Sequence, residues 1–162
     1  MTQDNTVGSR SNKLALAYIA GFLDGDGSLM IQIKKRSDSK KGRRIMLTIC
    51  FYQDTRHEKP LVWIRKILGI GYFSRRNDGM SELRINGYAQ VADILSALLP
   101  YLKFKKIQAI KLIETAKLLR NEMNERTTRK LVDNVLVVQS ENYVTRKKRS
   151  KKELLELLGL TP

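Results

Sequence analysis

The sequence is short of several things: 162 residues hold one cysteine, one histidine and three prolines, and aromatic side chains make up 7%. A lone Cys50 excludes an internal disulfide framework and any multi-cysteine zinc site. No apolar run approaches the ~20 residues that span a bilayer. The opening Met-Thr-Gln-Asp-Asn-Thr lacks the basic and apolar parts of a secretory signal. Acidic residues are few as well, 16 Asp and Glu against 31 Lys and Arg, which leaves a net charge of +15 and a pI near 10.1. Such an excess favours a polyanionic partner, although a ribosome-associated protein or a membrane-surface binder carries it too. A reducing, intracellular compartment containing nucleic acid fits best: cytoplasm, nucleoid or an organelle's DNA compartment. The length suits one domain over 1–162 with a sizeable core.

What is present is organised around residues 18–28, Tyr-Ile-Ala-Gly-Phe-Leu-Asp-Gly-Asp-Gly-Ser. Ser11 or Asn12 can cap a helix through Leu14, Leu16, Ile19, Phe22 and Leu23, and Gly25 and Gly27 set its end near Asp24. Ala17, Gly21 and Gly25 recur every four residues, so one face carries almost no side chain, and a small-xxx-small stripe lets two helices approach closely. Asp24 and Asp26 sit at the helix C-terminus, where the macrodipole makes each carboxylate cost roughly 0.3–1 kcal/mol. A bound cation would remove that penalty. On conformational grounds alone, Asp24-Gly25-Asp26-Gly27 reads as a polar turn.

The rest of the chain alternates helix and strand signals. Residues 1–10 are polar and expected to be loose. Ser28 to Arg36 alternates Leu29, Ile31 and Ile33 with Met30, Gln32, Lys34 and Arg36, a half-buried strand. A second strand from Arg44 to Phe51 follows a basic tip, giving an antiparallel ribbon. A helix starts between 55 and 60 and ends at Gly69; strands at about 70–76 and 81–86 follow, joined through Asn77-Asp78-Gly79. Helices are expected over about 88–99 and 103–121, the second burying Phe104 and Ile107. Residues 122–128 read as a polar break. Leu131 to Val138 suggests a short helix and Leu154 to Leu158 a terminal one, and six of the seven residues 146–152 are Lys or Arg. The expected fold is α+β, an antiparallel four-stranded sheet backed by helices in the order αββαββα, with further C-terminal helices.

Ile19-Ala20-Gly21-Phe22-Leu23-Asp24-Gly25-Asp26-Gly27 strongly resembles the signature of the LAGLIDADG homing endonucleases, whose half-fold has this element order. Only one copy of the motif occurs, so the resemblance implies the single-motif, homodimeric type, with Ala17, Gly21 and Gly25 at the dimer interface. It also implies that Asp26 binds the catalytic metal, that Gly25 offers a carbonyl ligand, and that Asp24 is a helix-end structural residue. Gln53 and Lys105 match the family positions that organise water at the scissile phosphate. A basic residue soon after that Gln completes the site, here Arg56 or His57; His57 would depart from the arginine of relatives. On spacing alone His57 is a helix-start histidine.

The outward sheet face collects Gln32, Lys34, Arg36, Arg44, Thr48, Tyr72, Ser74, Arg76, Glu82, Arg84 and Asn86. Any one of them alone reads as solvated surface. Together they can read base edges, because Arg pairs with guanine, Gln with adenine, and Glu accepts from cytosine. A strand of about ten residues spans roughly 33 Å, close to ten base pairs. Arg146, Lys147 and Lys148 then clamp phosphates, which adds affinity without sequence information. The expected activity is Mg²⁺-assisted hydrolysis of double-stranded DNA at a long pseudo-palindromic site, with no membrane partner and no small-molecule substrate. Two alternatives stand beside it: a non-cleaving DNA binder or RNA maturase on the same fold, and a basic RNA-binding protein with an exposed aromatic stacking platform. The apolar-face positions of Phe51, Trp63, Phe73 and Phe104 argue against the last.

Overall fold

A single four-stranded antiparallel sheet, in the order β1-β2-β4-β3, carries helices on one face. The computed structural model describes residues 7–36, 42–143 and 147–162, with backbone alone for 7–11. The elements run α1 (Val7–Asp26), β1 (Gly27–Lys35), β2 (Arg43–Asp54), α2 (Lys59–Leu68), β3 (Tyr72–Arg75), β4 (Met80–Asn86), α3 (Tyr88–Leu98), α4 (Lys106–Arg120), α5 (Glu125–Glu141) and α6 (Lys151–Leu157). The α+β expectation holds in class and order.

Alternation fixes which sheet face is buried. Leu29 on β1, Leu47, Ile49 and Phe51 on β2, and Leu83 and Ile85 on β4 point into the core, where Ile19, Ala20 and Leu23 of α1 and Leu95 and Leu98 of α3 meet them. A second, smaller cluster packs Ile33 against Leu131, Val132 and Val135 of α5 and Leu154 and Leu155 of α6. α1 passes straight into β1 at Gly27, where a Cβ would lie 2.6 Å from Leu23 Cδ1 and 3.0 Å from the Cys50 carbonyl oxygen. Only glycine lets the helix end come this close to β2.

Several boundaries differ from the sequence expectations. α1 begins at Val7, not Ser11 or Asn12, because no proline interrupts 7–12 and each further helical residue adds a hydrogen bond to an existing nucleus. Residues 1–6, the rest of the loose N-terminus, lie outside the described residues, as do the ribbon tip at 37–41 and Arg146. α1 also continues to Asp26, since the last-turn groups of Asp24 find partners in residues 103–105. Those three residues are consequently a loop, α4 starts only at Lys106, and Phe104 is 57% exposed instead of buried. Ile107 is exposed as well; the buried face of α4 is Gln108, Ala109, Leu112 and Ala116.

α5 is much longer than the short helix expected, and it begins inside the supposed polar break. Asn124 and Thr127 form a reciprocal capping box there, with Asn124 Oδ1 accepting from Thr127 N at 2.9 Å. Ahead of α2, Thr55 and Glu58 stand at capping-box spacing but form no such box. Asp54 caps a 3-10 turn over Thr55–His57, and Pro60 sits in the first turn of α2.

Candidate functional site

The end of α1 opens into a cleft of about 500 Å³ lined by Asp26, Ser28, Tyr52, Arg76, Lys105 and Tyr143, among others. Asp26 is exposed, and it accepts no hydrogen bond and forms no ion pair among the described residues. Asp24 is the opposite case. Its carboxylate accepts from the backbone N–H groups of Lys103 (2.7 Å), Phe104 (3.1 Å) and Lys105 (2.8 Å), and its carbonyl accepts from Lys105 Nζ at 2.6 Å. The dipole penalty at the end of α1 is thus offset for Asp24 by three amides of the loop ahead of α4, whereas Asp26 accepts from no amide among the described residues.

Lys105 is only 7% exposed. Burial pushes its ammonium below the usual lysine range, while the carboxylates of Asp24 and Asp26 pull it back. The Phe104 ring lies 5.0 Å from Nζ and stands edge-on to Tyr143 at 6.4 Å.

Of the four residues assigned to catalysis, the cleft joins Asp26 and Lys105. Gln53 and His57 do not line it. Gln53 shares strand parity with Phe51, on the helix side of β2, and its Oε1 accepts from Asp54 N at 2.9 Å. Arg56 is tied to Asp54 through Nε–Oδ1 at 3.0 Å and Nη2–Oδ2 at 2.8 Å, and the pair holds the Asp54 carboxyl well below its usual range. His57 carries the exposed end of the same turn. Just beyond it, Glu58 accepts from Arg75 and from Ser81 Oγ, and these hydrogen bonds lower its carboxyl to about 2. Tyr52, Ser28 and Tyr143 were missed as lining residues. The first two sit in outward parity at the α1 end of the sheet, which the strand alternation could have indicated, and their hydroxyl oxygens lie 3.3 Å apart. Nothing local marks Tyr143, which arrives from the end of α5.

The outward face of the sheet is built in cross-strand rows: Tyr52, Glu82 and Ser74; then Ser28, Cys50, Arg84 and Tyr72; then Met30, Thr48 and Asn86; then Gln32 with Met46; then Lys34 with Arg44. Thr48 does not offer the reading surface expected of it. It is fully buried, and its hydroxyl donates to Asn86 Oδ1 at 2.7 Å. Glu82 and Arg84 pair with each other at 3.3 Å. Gln32 Oε1 and Arg84 Nε are closed off from solvent with no hydrogen-bond partner among the described residues, so the face holds an unmet acceptor and an unmet donor there. Tyr72 is exposed on this face, and with Phe104 and Tyr143 also exposed the aromatics are less uniformly buried than expected.

Lys147 and Arg149 flank the strand β1 residues Gln32 and Lys34 across a groove of about 320 Å³. Gln139 anchors this segment, accepting from Arg149 N at 3.0 Å and donating to its carbonyl at 3.1 Å. The basic run therefore borders the outward face.

The bare face of α1 is open. A Cβ added at Gly21 or Gly25 meets nothing within 4 Å, Ala17 is half-buried, and Leu14 and Tyr18 beside them are 73% and 52% exposed.

The family model for the LAGLIDADG endonucleases matches residues 19–117. The chain belongs to this family. A similar LAGLIDADG relative is the DNA endonuclease I-CvuI of Chlorella vulgaris, 37% identical over 110 residues that cover 68% of each chain. The DNA endonuclease I-CreI of Chlamydomonas reinhardtii is 33% identical over 111 residues, 67% of this chain and 68% of the relative. The crystal structure of the homing endonuclease I-CvuI in complex with its target, in the presence of calcium, superposes with a TM-score of 0.83 at 29% identity, over 94% of this LAGLIDADG chain and 99% of that one. The structural match thus reaches past the family model into α5 and α6. No helix among the described residues is long and apolar enough to cross a membrane.

Proposed function

We propose that this chain is a site-specific double-strand DNA endonuclease of the homing type that acts as a homodimer on a long, pseudo-palindromic target, with Mg²⁺ as its cation. The carrying observation is Asp26, an exposed carboxylate with no hydrogen bond or ion pair among the described residues, at the open end of a bare helix face and sharing a cleft with the buried ammonium of Lys105. The relatives' activity on DNA and their resemblance in fold support the same reading.

The residues fit a hard divalent cation. Asp26 is a free oxygen donor, and no group of three or more His, Cys, Asp or Glu gathers among the described residues. Mg²⁺ keeps several waters and takes one or two carboxylates plus substrate phosphate, so an Asp26 from each of two chains, with the Gly25 carbonyl beside it, is a sufficient protein share. A bound cation supplies an activated water and charge stabilisation at the leaving oxygen. Lys105 adds fixed positive charge where the phosphate becomes more negative, in a site where burial strengthens that charge. Closing the Ala17, Gly21 and Gly25 faces of two copies brings their Asp26 residues to one axis. Gln53 acts, in this reading, from the end of β2 and His57 from the turn after it.

Lys34, Arg36, Arg44, Ser74, Arg76 and Arg84 meet the grooves from the outward face, and Lys147 and Lys148 hold phosphates. Salt-titrated binding tests the division. Arg44→Ala is expected to relax preference at one base pair of each half-site, at a cost of about 1–3 kcal/mol. Lys147→Ala is expected to weaken all sequences alike and to lower the magnitude of the log-affinity against log-salt slope by about 0.9 for each phosphate left unneutralised, with two such phosphates in a dimer. If Lys147→Ala changed base preference while Arg44→Ala changed only the slope, the assignment would be wrong.

A further inference from the structure

We propose that Asp24 is the positioning residue of the cleavage site, a clamp that holds Lys105 at both ends so that its ammonium stays beside Asp26. The role rests on the cleavage reading above.

Four hydrogen bonds carry it. Oδ1 of Asp24 takes the backbone N–H of Lys105, Oδ2 takes those of Lys103 and Phe104, and the Asp24 carbonyl takes Lys105 Nζ. One residue therefore binds the first and the last polar atom of the same lysine. Lys105 is the N-cap residue of α4, so the carboxylate of α1 holds the N-cap amide and the two amides ahead of it, fixing from across the fold the backbone that leads into that helix. Asn124 and Ser150 cap α5 and α6 locally, each accepting from an amide three residues on, whereas the amides that lead into α4 are met by a residue of another helix. Here the acceptor comes from some eighty residues away in sequence.

The arrangement also explains why a lysine can be buried there. Its ammonium faces a helix C-terminal carbonyl, two carboxylates and the Phe104 ring, all favourable to a cation. Asp24 and Asp26 share the last turn of α1, so clamp and metal-ligand candidate move as one body. Releasing the clamp frees 103–105 to shift relative to Asp26 without disturbing the outward face of the sheet.

The test uses the full chain with its duplex target, comparing Asp24→Asn, Asp24→Ala, Lys105→Ala and the double replacement Asp24→Ala with Lys105→Ala. Asp24→Asn keeps the shape and one acceptor oxygen; Asp24→Ala keeps neither, and should it fail to fold the Asn variant carries the comparison. The single-turnover cleavage rate is expected to fall by about 100-fold in Asp24→Asn, the scale of a misplaced catalytic group. Target affinity should be unchanged, and amide hydrogen exchange at 103–105 should rise. The double variant should cut no more slowly than Lys105→Ala alone, because Asp24 acts through Lys105. Asp24→Asn cutting at the wild-type rate, or additive losses in the double variant, would overturn the clamp. A wild-type protein that cuts no duplex would instead overturn the cleavage reading on which the clamp rests.

Discussion

Asp26→Asn is expected to abolish strand cleavage, with a loss of at least about 10²–10³-fold, while specific binding survives. The reasoning starts from what Asp26 lacks. It accepts no hydrogen bond and forms no ion pair among the described residues, and the Lys105 ammonium it attracts keeps its bond to the Asp24 carbonyl, so replacing it should leave the fold intact. It sits at the α1 end of the sheet and not in the outward rows that would meet base edges, so recognition is untouched. What goes is a negative charge at a helix C-terminus, where Asp26 lacks the backbone amides that offset Asp24 and a cation takes their place. Single-turnover cleavage and metal-free target binding, measured side by side, check both halves. Cutting at the wild-type rate would remove Asp26 from the metal site.

Gly21→Leu is expected to separate folding from association. Within one chain the new side chain meets nothing, because the Cβ position has no atom within 4 Å, and leucine is favoured over glycine in a helix by about 1 kcal/mol or less. The monomer should therefore fold as well as the wild type, or slightly better. Between two chains the same side chain stands where backbones must touch, and close approach leaves it no volume. Sedimentation should show a monomer at concentrations where the wild type is a dimer, with cleavage lost in parallel because each copy supplies one Asp26. A Gly21→Leu variant that remained a fully active dimer would place the interface elsewhere.

The stretch from Ile19 to Gly27 made the fold readable, since it joins a bare helix face, a helix end rich in carboxylates and the start of a strand. Strand alternation was equally legible: Leu29, Leu47, Leu83 and Ile85 lie inward as their parity requires. Parity does not report burial, however, and so Thr48 lies on the correct face yet is closed off by its bond to Asn86. The helix ends were less readable because tertiary partners set them. Asp24 extends α1 and shortens α4 through one set of hydrogen bonds, and nothing near residue 104 in the sequence shows that its amides are needed elsewhere. Phe104 is exposed for the same reason. The α5 start was hidden because Thr127 stands where the usual capping box has Glu or Gln. The cleft residue Tyr143 could not have been found at all, since only the packing of α5 brings it to Phe104.

The most direct test of the central claim is to incubate the purified chain with a randomised duplex library, with and without Mg²⁺, and to sequence the ends produced. The account predicts double-strand ends only when the divalent cation is present, clustered at one long, nearly palindromic sequence whose half-sites are related by the symmetry of a dimer. Ends spread without sequence preference, ends that form equally in a chelator, or binding with no ends at all would contradict it.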